Sequence, residues 1–315
     1  MSTATMDVAR DAFAELVLSV SEPGWHEDVP MAVYLAIDAM NASGIEKIRK
    51  SPLHFRHDRD NPRDSTAAMD LGTGLHMALL EPQLFEGHYV TLGQCEAKKK
   101  DGTRCSSQGK FYRDGQSFCG VRGHDPGEGE DMDPAIHVLA EDAMADLVGM
   151  AAAIQAHPRA RTFFEGRGNY ELTGVWRDEE TGVLCKIRID RDIERGLMIA
   201  DLKSARDASP EGFRLIASRM GYHRKAGFYR RGCAALGWER NSSVLIVPEN
   251  TPPYPVAVYL LDEDDLATAN REITRHLNRY AMCLADNHWP GYGDEMMTLK
   301  MPPWAFEHDQ ELNDD

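Results

Sequence analysis

No run of apolar residues in this sequence is long enough to span a membrane, and Met1 to Arg10 is neither basic nor followed by the apolar core of a secretion signal. A soluble, cytoplasmic protein is expected. Cysteine is scarce: six are present, of which Cys95, Cys105 and Cys119 lie close together while Cys185, Cys233 and Cys283 are isolated. That spread argues against a disulfide framework and leaves the isolated three as core thiols. Positive charge is also short, with 35 Lys and Arg against 51 Asp and Glu and a net charge of -16. An acidic surface repels phosphate at long range, which excludes indiscriminate adhesion to nucleic acid. There is no internal repeat, and low complexity is confined to the acidic tail at 307–315.

What is present suits one large domain, or a domain carrying an insertion: 315 residues, 42% of them hydrophobic. Two segments run against the overall charge. Asp201 to Arg240 holds nine basic residues against four acidic, and Gln94 to His124 seven against three. Each is either a solvated helix face or a surface that guides a phosphate backbone.

Three- and four-residue apolar spacing predicts helices over Asp7 to Val20 and Met31 to Met40, a helix start at Asn41-Ala-Ser-Gly44, and a helix over Ser65 to Leu80 that ends before Pro82. Residues 93–130 are rich in Gly, Lys and Cys and poor in aliphatics, and finish in Asp125-Pro-Gly-Glu-Gly-Glu130, as an inserted module would. A helix is expected from Pro134 to Ala156, with Ile136, Leu139, Ala143, Leu147 and Met150 as its stripe. From Tyr170 the period becomes two, giving strands Tyr170 to Arg177, Val183 to Asp190 and Leu197 to Lys203 in an antiparallel meander. Ser209-Pro210 then starts a helix, another runs from Tyr222 to Leu236, and strands at Ser243 to Val247 and Val256 to Leu261 precede a helix over Glu263 to Asn287.

Alternation puts Asp201 and Lys203 on one strand face, because side chains two apart point the same way. Asp190 is expected to end the preceding strand and Glu171 to begin the one before it, so three acids and a lysine would share one cleft. Phosphodiester cleavage uses such a mixture: carboxylates hold magnesium through hard oxygen ligands, and the ion stabilises transition-state charge and acidifies a bound water. One metal or two is left open. A bare D-x-K triplet also occurs as an exposed ion pair worth about 0–1 kcal/mol.

Within the insertion, Cys95, Cys105, Cys119 and His124 supply three thiolates and one imidazole, a full tetrahedral zinc set, with Gly102, Gly115, Gly120 and Gly123 permitting tight turns. The first spacing is longer than in common zinc fingers. A flexible loop without metal and an iron–sulfur cluster are the alternatives, and His124 favours zinc over the cluster.

Three ordered blocks carry a family resemblance: Thr181-Gly-Val-Leu-Cys-Lys-Ile-Arg-Ile-Asp190, Ile199-Ala-Asp-Leu-Lys-Ser-Ala-Arg-Asp-Ala-Ser209, and Gly221-Tyr-His-Arg-Lys-Ala-Gly-Phe-Tyr229. Together they resemble the exonuclease VIII (RecE-type) recombination nucleases of phages and prophages, within the PD-(D/E)XK superfamily. Asn41 to Gly44 with Ser51-Pro-Leu-His-Phe55, Gly72-Thr-Gly-Leu-His76 with Leu80-Glu-Pro82, and Trp289-Pro-Gly-Tyr292 resemble its flanking blocks. Cys95-Glu-Ala97 with Gly102-Thr-Arg-Cys105 resembles small zinc modules of phage proteins.

The resemblance implies an α/β fold, with a central mixed sheet flanked by helices and a zinc-binding insertion. It implies Asp190 and Asp201 as metal ligands, the Leu202 carbonyl beside them, Glu171 as an outer ligand, Lys203 orienting water or substrate, and His76 completing a site for Mg2+ or Mn2+. Arg206, Tyr222, Arg224, Lys225 and Tyr229 become DNA-contacting candidates, although Tyr222 and Tyr229 are equally suited to core packing. Lys225 departs from the family, whose members commonly have Gln there, which puts substrate positioning in question. The implied activity is digestion of linear duplex DNA from 5' ends in a bacterial host cell, by a homo-oligomer working with a single-strand annealing protein. The rivals are a Cas4-like or repair nuclease acting on single strands or flaps, and a non-catalytic DNA-binding adaptor. The corresponding division is 1–92, a helical part; 93–130, the zinc module; 131–306, the nuclease core; and 307–315, the tail.

Overall fold

The computed structural model describes residues 3–62, 67–109, 111–113, 115–121, 124, 137–194 and 197–302. Helix α1 (Thr3–Val20) matches the first expected helix, and β1 (Gly24–His26) follows where none was expected. The second expected helix is shorter than its pattern: α2 (Met31–Ala36) stops before Met40. Lys186 Nζ takes the carbonyls of Tyr34 and Ile37, at 2.7 Å each, that a further turn would have used. Asn41 caps α3 (Ala42–Lys50) by accepting from Gly44 N at 2.8 Å, and Ser51 caps α4 (Pro52–Asp60) by accepting from His54 N at 3.2 Å. Pro82 ends α5 (Ala67–Leu80) and opens α6 (Pro82–His88). Ser65, the expected start of α5, lies outside the described residues.

The segment expected to be an insertion follows β2 (Tyr89–Thr91) and contains the hairpin of β3 (Phe111–Arg113) and β4 (Gln116–Phe118), and β5 (His137–Leu139) after it pairs with β2 in parallel. Here a single helix was expected from Pro134. Its described part begins instead as a strand, because β2 takes up the backbone of His137 to Leu139 and Leu139 packs beside Tyr89 and Leu147. Helix α7 (Glu141–Ala156) starts only where Glu141 and Asp142 place negative charge in a first turn. Pro134, Ile136, Gly123 and the 125–130 loop lie outside the described residues, as does the 307–315 tail.

The main sheet adds β6 (Tyr170–Arg177), β7 (Leu184–Ile193) and β8 (Met198–Leu202), then α8 (Pro210–Met220), α9 (Tyr222–Ala235), β9 (Ser242–Pro248), β10 (Val256–Leu260) and α10 (Glu263–Asp286). Its order is β1-β6-β7-β8-β9-β10, antiparallel throughout except for the parallel β8–β9 pair. Ile45, Ile187, Phe228 and Ile273 pack α3, α9 and α10 on one face, while Leu75, Met150, Ile154 and Leu202 pack α5 and α7 on the other. This is the expected mixed sheet flanked by helices.

One boundary differs with consequence. β7 continues three residues past Asp190, so this acid lies inside a strand instead of ending it. β8 pairs only with the far end of β7, through Arg191↔Ala200, Asp192↔Ile199 and Ile193↔Met198. Beyond Ala200 the two strands part, and Asp190 and Asp201 face the opening.

Candidate active site

Glu171 has a φ of 47°, in the left-handed region that a residue with a Cβ rarely enters. It stands between the paired positions Tyr170↔Arg191 and Leu172↔Ile189, and therefore opposite Asp190. Such a conformation costs about 1–3 kcal/mol and persists where the surroundings fix it. Arg188 does so: its Nε donates to Glu171 Oε2, and its Nη1 donates to the Val29 carbonyl at 2.6 Å. Arg188 was missed in the sequence, although its position two before Asp190 on the same strand was a usable signal.

His76, from the last turns of α5, reaches across to these acids. Its Nδ1 is 3.4 Å from Glu171 Oε1, and its Nε2 is 3.5 Å from Asp190 Oδ2 and 3.1 Å from the Leu202 carbonyl. One ligand atom each from His76, Glu171 and Asp190 lies within 4.8 Å of the others. Adjacent ligands about 2.1 Å from an octahedral ion would be about 3.0 Å apart, so the donor set fits a magnesium-sized cation with little adjustment. Burial alone would lower the His76 pKa, but Asp190 and Glu171 outweigh it and raise the value. Asp190 is raised by burial and then by the charge of Asp201, as expected for two carboxylates sharing a site. Glu171 is lowered, since His76 and Arg188 outweigh its burial.

The chain has relatives. Residues 41–302 match the family model described as a PDDEXK-like domain of unknown function (DUF3799). The chain belongs to that family. Among solved structures, a protein from Eubacterium rectale that is provisionally named an exonuclease aligns with a TM-score of 0.54 at 11% identity, covering 88% of this chain and 96% of that one. A phage-related exonuclease from Haemophilus somnus gives a TM-score of 0.34 at 8% identity, with 88% and 94% covered. No curated protein matches the chain. The fold is thus that of the PDDEXK-like nucleases.

Within this PDDEXK-like domain, Asp201 lies beside the His76 cluster and is bracketed by ammonium groups. Lys203 Nζ is 2.6 Å from its Oδ2, and Lys225 Nζ donates to its Oδ1 at 2.6 Å. Oδ2 is buried and meets Lys203 as an ion pair without hydrogen-bond geometry, so a metal ion there would have to share it with that ammonium. The two lysines outweigh burial and hold the Asp201 pKa well below the usual range, while Asp201 raises Lys225 against its burial. Lys203 is lowered, by burial first, and its Nζ also donates to the Leu202 carbonyl at 2.9 Å.

The DNA-contacting candidates divide. Arg206 is exposed beyond β8, and the half-buried Tyr222 lies under Lys203 with Nζ 5.7 Å from its ring centre. Tyr229 is 8% exposed, packs in the core with Phe228 and carries Lys225 Nζ 5.0 Å from its ring centre, so it supports that lysine from beneath. Arg224 stands apart from the His76 cluster: its guanidinium is bound by Glu46 and by Glu272 at 3.3 Å. A residue one place from Lys225 on a helix points about 100° away from it, which accounts for the separation.

In the insertion, Cys95, Cys105, Cys119 and His124 place ligand atoms within 4.8 Å of one another. Cys105 and Cys119 Sγ are 3.9 Å apart, and Cys119 Sγ is 3.4 Å from His124 Nδ1. Zn–S bonds of about 2.3 Å imply an S···S edge of about 3.8 Å in a tetrahedron, so the cluster could hold zinc. Ser107 N–H donates to Cys105 Sγ at 3.5 Å and helps bring that thiol down to about 6, favouring the thiolate. No helix among the described residues is long and apolar enough to cross a membrane.

Proposed function

We propose that this chain is a divalent-metal-dependent exodeoxyribonuclease that digests linear duplex DNA from 5' ends and leaves 3' single strands for an annealing protein. The observation that carries the reading is the convergence of His76, Glu171, Asp190 and the Leu202 carbonyl on one point, with Asp201 and Lys203 beside it. His76, Asp190, Asp201 and the Leu202 carbonyl would hold Mg2+ or Mn2+, with Glu171 as an outer partner. Bound there, the ion supplies Lewis-acid stabilisation of the scissile phosphate and acidifies a water.

The chain's own groups do the rest. Arg188 fixes the Glu171 carboxylate, and the Leu202 N–H fixes Asp190 by donating to its Oδ2 at 2.9 Å. Lys203 offers its ammonium to the attacking water or to a phosphate oxygen. Lys225 and Arg206 would contact phosphate, with Tyr222 against a sugar or base, and Tyr229 acts through Lys225. The cysteine cluster would carry a structural zinc that orders residues 93–130. Assembly into a homo-oligomer and work in the cytoplasm of a bacterial host are part of the same proposal.

One feature supports a second reading. Both carboxylate oxygens of Asp201 face lysines, and an adaptor that binds DNA without turnover would tolerate that. The test is digestion of end-labelled linear duplex, closed circular duplex and single-stranded DNA with Mg2+ or Mn2+, comparing the native chain with Asp201→Ala. Loss of linear duplex alone, from 5' ends and abolished by the substitution, is expected. Cleavage of single strands or flaps in preference would favour the Cas4-like rival, and binding without cleavage would establish the adaptor.

A further inference from the structure

Arg224, excluded from the catalytic cluster, lies in a groove of its own. The space is about 410 Å³ and is lined by Arg49 of α3, by Arg224 of α9, and by Glu272, Arg275, His276 and Arg279 of α10. We propose that this groove binds the phosphodiester backbone of the nucleic-acid substrate at a point away from the bond being cut. The inference rests on the nuclease reading above and extends it to a second contact.

Charge is the first argument. Four guanidinium groups gather where only two carboxylates, Glu46 and Glu272, face them, so an excess of about two positive charges collects in one concavity of a protein with a net charge of -16. Clefts lined by one sign of charge concentrate counter-ions of the other, and here the rest of the surface would repel them.

Graded freedom of the arginines is the second. Arg224, 8% exposed and fixed by Glu46 and Glu272, forms a rigid floor, and Arg49 stands beside it, bonded to Glu46 at 2.8 Å with 44% of its side chain exposed. Arg275 keeps 74% of its side chain exposed and stands 3.9 Å from Glu272. Arg279 makes no hydrogen bond or ion pair among the described residues. One loosely paired and one unpaired guanidinium beside a rigid basic floor suit bidentate recognition of phosphate oxygens. The groove is open to solvent and about 410 Å³ in volume, so a hydrated phosphate enters without parting the helices.

Position is the third. Arg224 and Lys225 are neighbours on α9, and Lys225 ends at Asp201 while Arg224 ends in the groove. The catalytic cluster and the groove therefore flank the first turns of one helix. A strand leaving the cluster past Gly221 and Tyr222 would meet the groove next.

The test compares the full chain with Arg275→Glu/Arg279→Glu and with the milder Arg275→Gln/Arg279→Gln. Duplex binding is followed by fluorescence anisotropy across a salt series, together with digestion kinetics and melting temperature. Charge reversal should weaken binding about tenfold or more and flatten the log K against log salt slope by about 2, with kcat at saturating DNA retained. The Gln pair should lie between it and the native chain, guarding against a folding artefact. A native chain that binds and cuts DNA, with both variants within about twofold of it, overturns the groove and leaves the nuclease intact. A change in self-association without a change in DNA affinity makes the groove a protein interface and also overturns the proposal. A native chain that neither binds nor cuts DNA overturns the nuclease reading, and the groove falls with it.

Discussion

Leu202 and Asp190 fix each other across the place where β7 and β8 part: the Leu202 N–H donates to Asp190 Oδ2 at 2.9 Å, and the Leu202 carbonyl then stands 3.1 Å from His76 Nε2. An acid on one strand thus sets the position of the proposed backbone ligand on the next. The strands could not have stayed paired there, since a ladder bond would have taken the Leu202 amide from the carboxylate. The opening in the sheet and the geometry of the proposed metal site have one cause.

The same arrangement makes Asp190 a liability without metal. Burial and Asp201 raise its pKa above the usual 3.8, so the folded state holds this proton more tightly than the unfolded chain does. Ionising it therefore lowers stability as pH rises through the raised value. In metal-free protein, Asp190→Asn should remove that pH dependence and melt at or above the native temperature near neutrality. The variant should also lose the stabilisation that Mn2+ confers on the native chain. Melting curves at several pH values, with and without Mn2+, check both points. A variant that melts lower than native at neutral pH and still responds to Mn2+ would refute the account.

Lys225 competes with any cation for Asp201. Its ammonium sits 2.6 Å from Oδ1, and its own pKa is raised because Asp201 outweighs burial, so it stays charged at neutral pH. Lys225→Gln keeps a donor at that place and removes a charge that repels a divalent ion. Mn2+ affinity measured by calorimetry on DNA-free protein should rise, by about tenfold if the relief is worth about 1.4 kcal/mol. Unchanged or weaker affinity would mean that Lys225 positions Asp201 for the ion instead of opposing it.

Much of this was readable because it rests on local rules. Period two in Leu197 to Lys203 put Asp201 and Lys203 side by side, and they form an ion pair. Cysteine and histidine spacing selected residues that do cluster. What was not readable depends on distant partners. The shortening of α2 is set by Lys186, some 150 residues on, and the strand at His137 to Leu139 exists because β2 pairs with it. The extra length of β7 comes from β6 and β8 on either side, and the pairing of Arg224 with Glu46, 178 residues away in sequence, was equally hidden.

Glu171 offers a separation of backbone from side chain. At φ 47° a Gly would adopt its conformation without strain, whereas Ala would keep the strain and lose the carboxylate. Both Glu171→Gly and Glu171→Ala should weaken Mn2+ binding, by about 10–100-fold if Glu171 acts as an outer partner. Glu171→Gly should nevertheless be the more stable of the two, by about 0.5–1 kcal/mol in urea denaturation, even though Gly usually destabilises a strand. The opposite order would show that the left-handed conformation is not held in solution.

The cysteine module gives the last test, because its order and its metal should disappear together. Among the described residues from Cys95 to Cys119, three thiols are buried with only Ala97 packed against their cluster, too little apolar surface to hold it together alone. Structural zinc contributes about 10–16 kcal/mol of binding free energy in small peptides, enough to supply that deficit. Elemental analysis of the native chain should find one zinc per chain, and Cys105→Ser should find none. With the metal gone, trypsin should cut at Lys98, Lys99 and Lys100 at least tenfold faster. Mn2+ binding at the catalytic cluster should persist, because His76, Glu171 and Asp190 come from α5, β6 and β7 and none lies within the insertion. A native chain without zinc, or a variant equally resistant to trypsin, would make the cluster a set of ordinary buried thiols. Loss of Mn2+ binding in the variant would instead mean that the insertion braces the catalytic face, with the parallel β2–β5 pair as the route of that support.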